Sequence, residues 1–331
     1  MTTAAVLGAG SWGTALALQL TRNSHRARVW DCDTGLVETL QTSRCNLRYL
    51  PDHPLPDTFS AHHELSEAVE GAEFVLIAVP SYAMRAACGQ LAREHFPAKV
   101  AWATKGFEKQ DNLMMHEVVA QMLGDGVRAA VLSGPSFARE VANRLPTAVT
   151  LASSDQEYAK ELAGYFHNSH FRVYISNDVI GVELGGTIKN VLAIAAGITD
   201  GLGFGANARA ALITRGLAEM MRLGESLEAH RATLMGLAGV GDLILTCTDD
   251  QSRNRRLGLA LAQGKSAQQF MDELGQAVEG FHAAQVLHRV ARRHGVDMPI
   301  CTQVWQVLNG DIELENAVSE LLSRDMKVEV T

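Results

Sequence analysis

Proline is absent from residues 147–298; the eight in the chain lie at or before Pro146 and at Pro299. So long a stretch without a helix breaker favours helices over turns in the second half. Cysteine is scarce and odd in number: Cys32, Cys45, Cys88, Cys247 and Cys301. No two are spaced as a metal pair and no histidine stands at finger spacing, which excludes a disulfide framework and a structural zinc and points to a reducing cytosol. Positive charge is also short, with 29 Lys and Arg against 37 Asp and Glu for a net charge of −8. A chain this acidic is unsuited to wrapping nucleic acid or coating an anionic membrane, although a few converging cations could still hold an anionic substrate. The N-terminus lacks a basic segment followed by an apolar run and a small-residue cleavage site, so no export signal is expected and the expected location is cytoplasmic. Residues 179–198 are the most apolar run, but Glu183, Lys189 and Asn190 interrupt them; a buried helix is expected there, not a membrane span.

What is present is an ordinary globular composition. The 331 residues are 47% hydrophobic and 20% charged, enough for two domains of roughly 150 residues with cores that need no staple. In the first half, short apolar runs at 4–7, 26–30, 74–79, 99–103, 129–132, 148–152 and 171–175 read as strands. Helical stretches such as 14–21, 82–93 and 113–123 lie between them. That alternation predicts an α/β, Rossmann-type doubly wound parallel sheet covered on both faces. From about residue 178 Ala, Leu, Met, Glu, Gln and Arg dominate, which predicts an all-α C-terminal domain. The expected division is 1–177 for the α/β domain and 178–331 for the helical domain.

Gly8-Ala9-Gly10-Ser11-Trp12-Gly13 follows the first strand and opens the first helix. Gly8 permits the tight turn, Gly10 lets a pyrophosphate approach the backbone, and Gly13 lets the helix pack closely. The helix N-terminus then offers unpaired N–H groups to phosphates. Asp31 and Asp33 stand just past the second strand, where an acid grips a ribose hydroxyl and favours NAD over NADP; Arg26 and Arg28 lie nearby.

Lys189 sits alone in an apolar helical stretch. Burying an ammonium is costly unless it is paired or its pKa falls, and a lysine so shifted can exchange protons near neutrality. Snorkelling to solvent, or a structural ion pair with Glu183, accounts for the same spacing equally well. Lys105 follows a strand, where ligands bind in open α/β sheets, or is an exposed loop lysine. Ser136, in a turn before a helix, either caps that helix or donates to a ligand. Arg253, Arg255 and Arg256 could grip phosphate, form a solvated face or touch nucleic acid, the last disfavoured by Asp249 and Asp250 beside them. The histidines show no ligand spacing, so no metal is expected.

Taken in order, GAGSWG at 8–13, NLRYLPDHPLP at 46–56, ATKGF at 103–107, GPSFARE at 134–140, GTIKNVLAIAAG at 186–197 and GVGDLILTCTDDQSRN at 239–254 resemble the bacterial NAD(P)-dependent glycerol-3-phosphate dehydrogenases. The match extends to AVEG at 277–280. The resemblance implies interconversion of dihydroxyacetone phosphate and sn-glycerol 3-phosphate with NAD or NADP, feeding glycerophospholipid synthesis. It makes Lys189 the proton acceptor for the C2 hydroxyl. It assigns Ser11, Trp12, Lys105, Ala138, Arg253, Ala277 and Glu279 to the dinucleotide. Lys105, Gly134, Ser136, Lys189, Asp242, Ser252, Arg253 and Asn254 fall to the substrate. Where many members carry His or Arg after the second strand to touch the cofactor, this chain has Cys32. The expected partner is a small phosphate substrate, with no nucleic acid, and an apolar helical half leaves room for a homodimer. Besides the nucleic-acid reading of Arg253 to Arg256, two rivals are a related 3-hydroxy-acid or sugar-acid dehydrogenase and a dinucleotide-binding sensor without turnover. The former usually show Asn four residues after the lysine, where position 193 is Ala; the latter has no need of an apolar lysine.

Overall fold

All seven short apolar runs become strands of one sheet in the computed structural model, which describes residues 1–323. The strands are β1 (Thr3–Leu7), β2 (Arg26–Trp30), β3 (Cys45–Asn46), β4 (Leu50–Pro54), β5 (Phe59–His62), β6 (Phe74–Ile77), β7 (Lys99–Trp102), β8 (Arg128–Ser133), β9 (Thr147–Ala152) and β10 (Phe171–Ser176). Between them run α1 (Ser11–Arg22), α2 (Thr34–Ser43), α3 (Leu65–Val69), α4 (Met84–Leu91), α5 (Met115–Leu123), α6 (Ala138–Ala142) and α7 (Gln156–Phe166). Only helices follow: α8 (Val179–Gly201), α9 (Gly205–Ser226), α10 (Arg231–Leu234), α11 (Asp242–Thr248), α12 (Arg253–Ala262), α13 (Ala267–Leu274), α14 (Glu279–Arg293), α15 (Pro299–Asn309) and α16 (Leu314–Leu322).

Eight strands make the sheet in the order β10-β9-β8-β7-β6-β1-β2-β5. Leu7 at the end of β1 is level with Trp30 of β2 and Ile77 of β6, and Ile77 is level with Trp102 of β7. The carboxyl ends of these strands therefore open along one edge, where ligands of such sheets bind. The expectation of an all-parallel sheet needs correction: β9 runs antiparallel to β8, and β10 runs parallel to β9. The reason is the connection. The helix between them, α6, has five residues, about 7.5 Å of rise, too little to carry the chain back across the sheet. Two further elements escaped the sequence reading. β5 adds the far edge, and β3 and β4 form a separate hairpin over residues 45–54, mostly in the proline-rich segment 46–56, where an edge position tolerates proline.

Helix α8 organises the second half. Residues 181–199 are buried throughout, and each fully buried Ile or Leu among them contributes about 1.5–3 kcal/mol relative to exposure. By length and composition α8 could cross a membrane; here protein surrounds it instead. It crosses α12 with backbones touching: a Cβ on Gly197 would lie 2.0 Å from the Arg255 carbonyl oxygen, and one on Gly258 would lie 2.1 Å from that of Ile194. This close approach seats Asn254 against Asn190, the Asn254 side-chain N–H donating to Asn190 Oδ1 at 2.9 Å.

Candidate active site

A cleft of about 1190 Å³ opens where the carboxyl edge of the sheet faces α8, α11 and α12. The glycine turn forms one wall. Gly8 has φ +107°, and a Cβ there would meet the Ala78 carbonyl oxygen at 2.9 Å. Gly10 faces open space, while a Cβ on Gly13 would strike the Gly8 carbonyl oxygen at 2.0 Å. The turn thus needs glycine at both ends and leaves its middle open, beside the free N–H groups at the start of α1. Trp12 lines the cleft beside it, with a buried indole Nε1 that has no partner among the described residues. These features fit a dinucleotide.

The two acids after β2 play roles the sequence did not reveal. Asp31 accepts the Ala9 N–H at 2.7 Å and the Asp33 N–H at 3.0 Å, so it braces the glycine turn. Asp33 caps α2 through the Leu36 N–H and pairs with Arg48 at 3.1 Å. Cys32 between them is exposed and lines the cleft.

At the floor lies a shared-carboxylate cluster. Asp242 begins α11 and is 1% exposed; its Oδ1 is 2.5 Å from Lys189 Nζ and its Oδ2 is 2.8 Å from Lys105 Nζ. Lys189 also donates to Thr246 Oγ1 at 3.0 Å, and Lys105 reaches the Gly134 carbonyl oxygen at 3.4 Å. Burial is the main force on Lys189; with Lys105 adding repulsion and Asp242 opposing both, its pKa is drawn down to about 7. The two alternatives for Lys189 both fail: it does not reach bulk solvent, being 7% exposed, and its partner is Asp242. Glu183 instead accepts from the Trp102 indole at 2.8 Å and from His116, both main chain and ring. Burial alone would lower His116, but Glu183 outweighs it and the pKa is raised.

The remaining wall comes from the helical half. Ser252 caps α12 by accepting the Arg255 N–H at 3.2 Å, and Arg253, Asn254, Ala277 and Glu279 line the cleft. Glu279 accepts from the Ser81 hydroxyl at 2.7 Å. Burial raises its pKa, opposed by Ser81 and Arg253; burial lowers that of Arg253, with Arg256 adding to it and Glu279 opposing it. Ser136 and Ala138 complete the rim. Ser136 does not cap α6 as one reading expected: its hydroxyl donates to the Gly134 carbonyl oxygen at 2.9 Å, and Phe137 occupies the cap position without a side-chain bond.

The cleft therefore brings together Gly8, Gly10, Ser11, Trp12, Cys32, Lys105, Ser136, Ala138, Lys189, Ser252, Arg253, Asn254, Ala277 and Glu279. Gly13, Gly134 and Asp242 stand immediately behind its wall, in contact with residues that line it. Thr246, Arg48 and Tyr49 also line it or touch its lysines without having been singled out. The signal for Thr246 was its spacing, four residues after Asp242 on one helical face. Among the described residues no three His, Cys, Asp or Glu side chains gather as a metal site.

Comparison with known proteins accords with this arrangement. Residues 3–159 match the model of the NAD-dependent glycerol-3-phosphate dehydrogenase N-terminus, and residues 178–319 match that of the C-terminus. The glycerol-3-phosphate dehydrogenase (NAD(P)+) of Halorhodospira halophila is 53% identical over 327 residues, covering 99% of this chain and 98% of that one. Its counterpart from Thioalkalivibrio sulfidiphilus is 54% identical over 326 residues, 98% of each. The crystal structure of glycerol-3-phosphate dehydrogenase from Coxiella burnetii superposes with a TM-score of 0.95 at 48% identity, covering 98% of this chain and 99% of that one. With both halves matched and relatives above half identity along nearly its whole length, the chain belongs to the NAD-dependent glycerol-3-phosphate dehydrogenase family.

Proposed function

We propose that this chain interconverts dihydroxyacetone phosphate and sn-glycerol 3-phosphate with NAD or NADP, an oxidoreductase step at a CH–OH group that feeds glycerophospholipid synthesis in the cytoplasm. The observation that carries this reading is the buried Lys189–Asp242–Lys105 cluster on the floor of a cleft walled by the glycine turn. When bound along that wall, the nicotinamide supplies or accepts the hydride at C2. Residues 1–177 form the dinucleotide-binding domain in this proposal. Residues 178–331 form the substrate-binding and catalytic domain, of which 324–331 lie outside the described residues.

In the reducing direction negative charge grows on the carbonyl oxygen, and a cation already aimed at it lowers the barrier. Lys189 provides that cation and donates the proton. In the oxidising direction its neutral amine takes the hydroxyl proton back. A pKa near 7 keeps both forms populated at neutral pH, the condition for one group to serve both directions. Asp242 keeps the ammonium from being expelled altogether and holds Lys105 beside it. Arg253, Asn254 and the N-terminus of α12 hold the phosphate, with Ser136 on the opposite lip and Gly134 behind it; binding there orients the carbon that reacts. Ser11, Trp12, Cys32, Ala138, Ala277 and Glu279, which line the cleft, would contact the dinucleotide.

The direct test follows absorbance of reduced nicotinamide with dihydroxyacetone phosphate, once with NADH and once with NADPH. Consumption with either supports the reading, and the ratio sets the preference. No consumption with either leaves the sensor reading in its place. A homodimer built on the helical half is part of the proposal and is checked by light scattering.

A further inference from the structure

We propose that Thr187 is a positioning residue: its side-chain oxygen holds the backbone at Gly106 so that Lys105 stays beside Lys189 on Asp242. The inference rests on the reading of these lysines given above, and it concerns a residue that touches neither substrate nor cofactor.

Lys105 lies on a segment without regular structure after β7, so its amine needs anchors beyond its own salt bridge. Two are present, one on each side. The Thr104 hydroxyl donates to the Val79 carbonyl oxygen at 2.7 Å, tying the segment to the sheet. The Gly106 N–H donates to Thr187 Oγ1 at 3.0 Å, tying it to α8. Thr187 is 1% exposed, and its hydroxyl proton is spent on the Glu183 carbonyl oxygen at 2.8 Å. A lone pair is thereby left facing outward, which makes the hydroxyl a directed acceptor. Gly106 reaches it with φ +131°, a conformation that favours glycine.

The neighbouring residue of α8 completes the seat. A Cβ on Gly186 would lie 2.7 Å from Ser133 Oγ and 3.4 Å from Lys105 Cγ, so the bare backbone there lets the Lys105 stem lie against the helix. Residues 186 and 187 therefore receive Lys105 and Gly106, and Lys189 follows within the same turn. The spacing of the two amines is set by one helix. The groups facing the Lys189 amine are Asp242 and Cys247 of α11 and Lys105 from the segment after β7. When Lys105 drifts away, Lys189 loses a repelling charge and Asp242 is left to it alone; both changes favour its ammonium.

The test is amine labelling of Lys189 across pH in the ligand-free full chain, quantified by mass spectrometry, alongside turnover of dihydroxyacetone phosphate. In Thr187→Val and Thr187→Ala the labelling midpoint is expected to rise by about one pH unit. Turnover falls by up to about a hundredfold, with a smaller change in KM. Thr187→Ser, which keeps the acceptor, restores the parent midpoint. An unchanged midpoint in a Val or Ala variant that melts as the parent does overturns the inference. A raised midpoint without turnover in the parent supports the seat for Lys105 and overturns the functional reading instead.

Discussion

Lys105 and Lys189 hold opposite oxygens of one carboxylate, with Asp242 Oδ2 2.8 Å from the first amine and Oδ1 2.5 Å from the second. The two belong to different halves of the chain, and one acid serves both. With both amines charged the group carries one net positive charge, so loss of a proton from Lys189 leaves a neutral set. That balance makes the proton on Lys189 easy to give up in a site that water scarcely reaches.

Replacing Lys189 by Ala removes the proton carrier. Turnover should fall by about a hundred- to ten-thousandfold, while dinucleotide binding, measured by fluorescence titration, stays close to the parent's. Activity within tenfold of the parent would remove Lys189 from the mechanism.

The pH dependence should have opposite sign in the two directions. Oxidation needs the neutral amine, so its kcat/KM climbs about tenfold per pH unit up to about 7 and then levels. Reduction needs the ammonium, so it is level below that point and declines above it. Asp242→Asn withdraws the charge that favours the ammonium while Lys105 remains, so both breaks should move to lower pH. Initial rates measured across pH 5 to 9 in both directions check this; breaks that move upward contradict it.

Arg253→Ala should act on substrate capture. Loss of a charge-assisted bond, about 1.5–3 kcal/mol, corresponds to a KM for dihydroxyacetone phosphate raised roughly ten- to hundredfold. An unchanged KM places the phosphate elsewhere.

Asp31→Ala should loosen the glycine turn. The Ala9 N–H loses a partner at 2.7 Å, a cost of about 1–3 kcal/mol in stability, read as a lower melting temperature. Dinucleotide affinity should weaken with it. An unchanged affinity would mean that the turn holds its shape without the carboxylate.

Much of this was legible in the sequence, for identifiable reasons. The glycine turn is local: strand, three glycines and helix follow within a few residues, so the pattern and the structure carry the same information. The helical second half was legible because composition changes abruptly where proline stops. Lys189 drew notice because an ammonium in an apolar stretch is costly wherever the chain goes. Its partner was beyond spacing, since Asp242 lies 53 positions away and Glu183, nearer in sequence, is taken by Trp102 and His116; only the family resemblance pointed to Asp242. The brace from Asp31 to Ala9 left no mark in the sequence, because an acid after β2 looks the same whether or not it also turns back to the glycine turn; Asp31 still lines the cleft where a ribose would lie. Strand direction left no trace either. Apolar periodicity in 148–152 is identical for a parallel and an antiparallel neighbour, and the short α6 decided the matter.

The brace at Ala9 has a consequence for how a cofactor arrives. A loop of three glycines is by itself among the softest pieces of a polypeptide, and folding it around a guest would consume much of the affinity gained. Here the neighbouring strand has already frozen that mould, so the incoming nucleotide spends little on ordering the host.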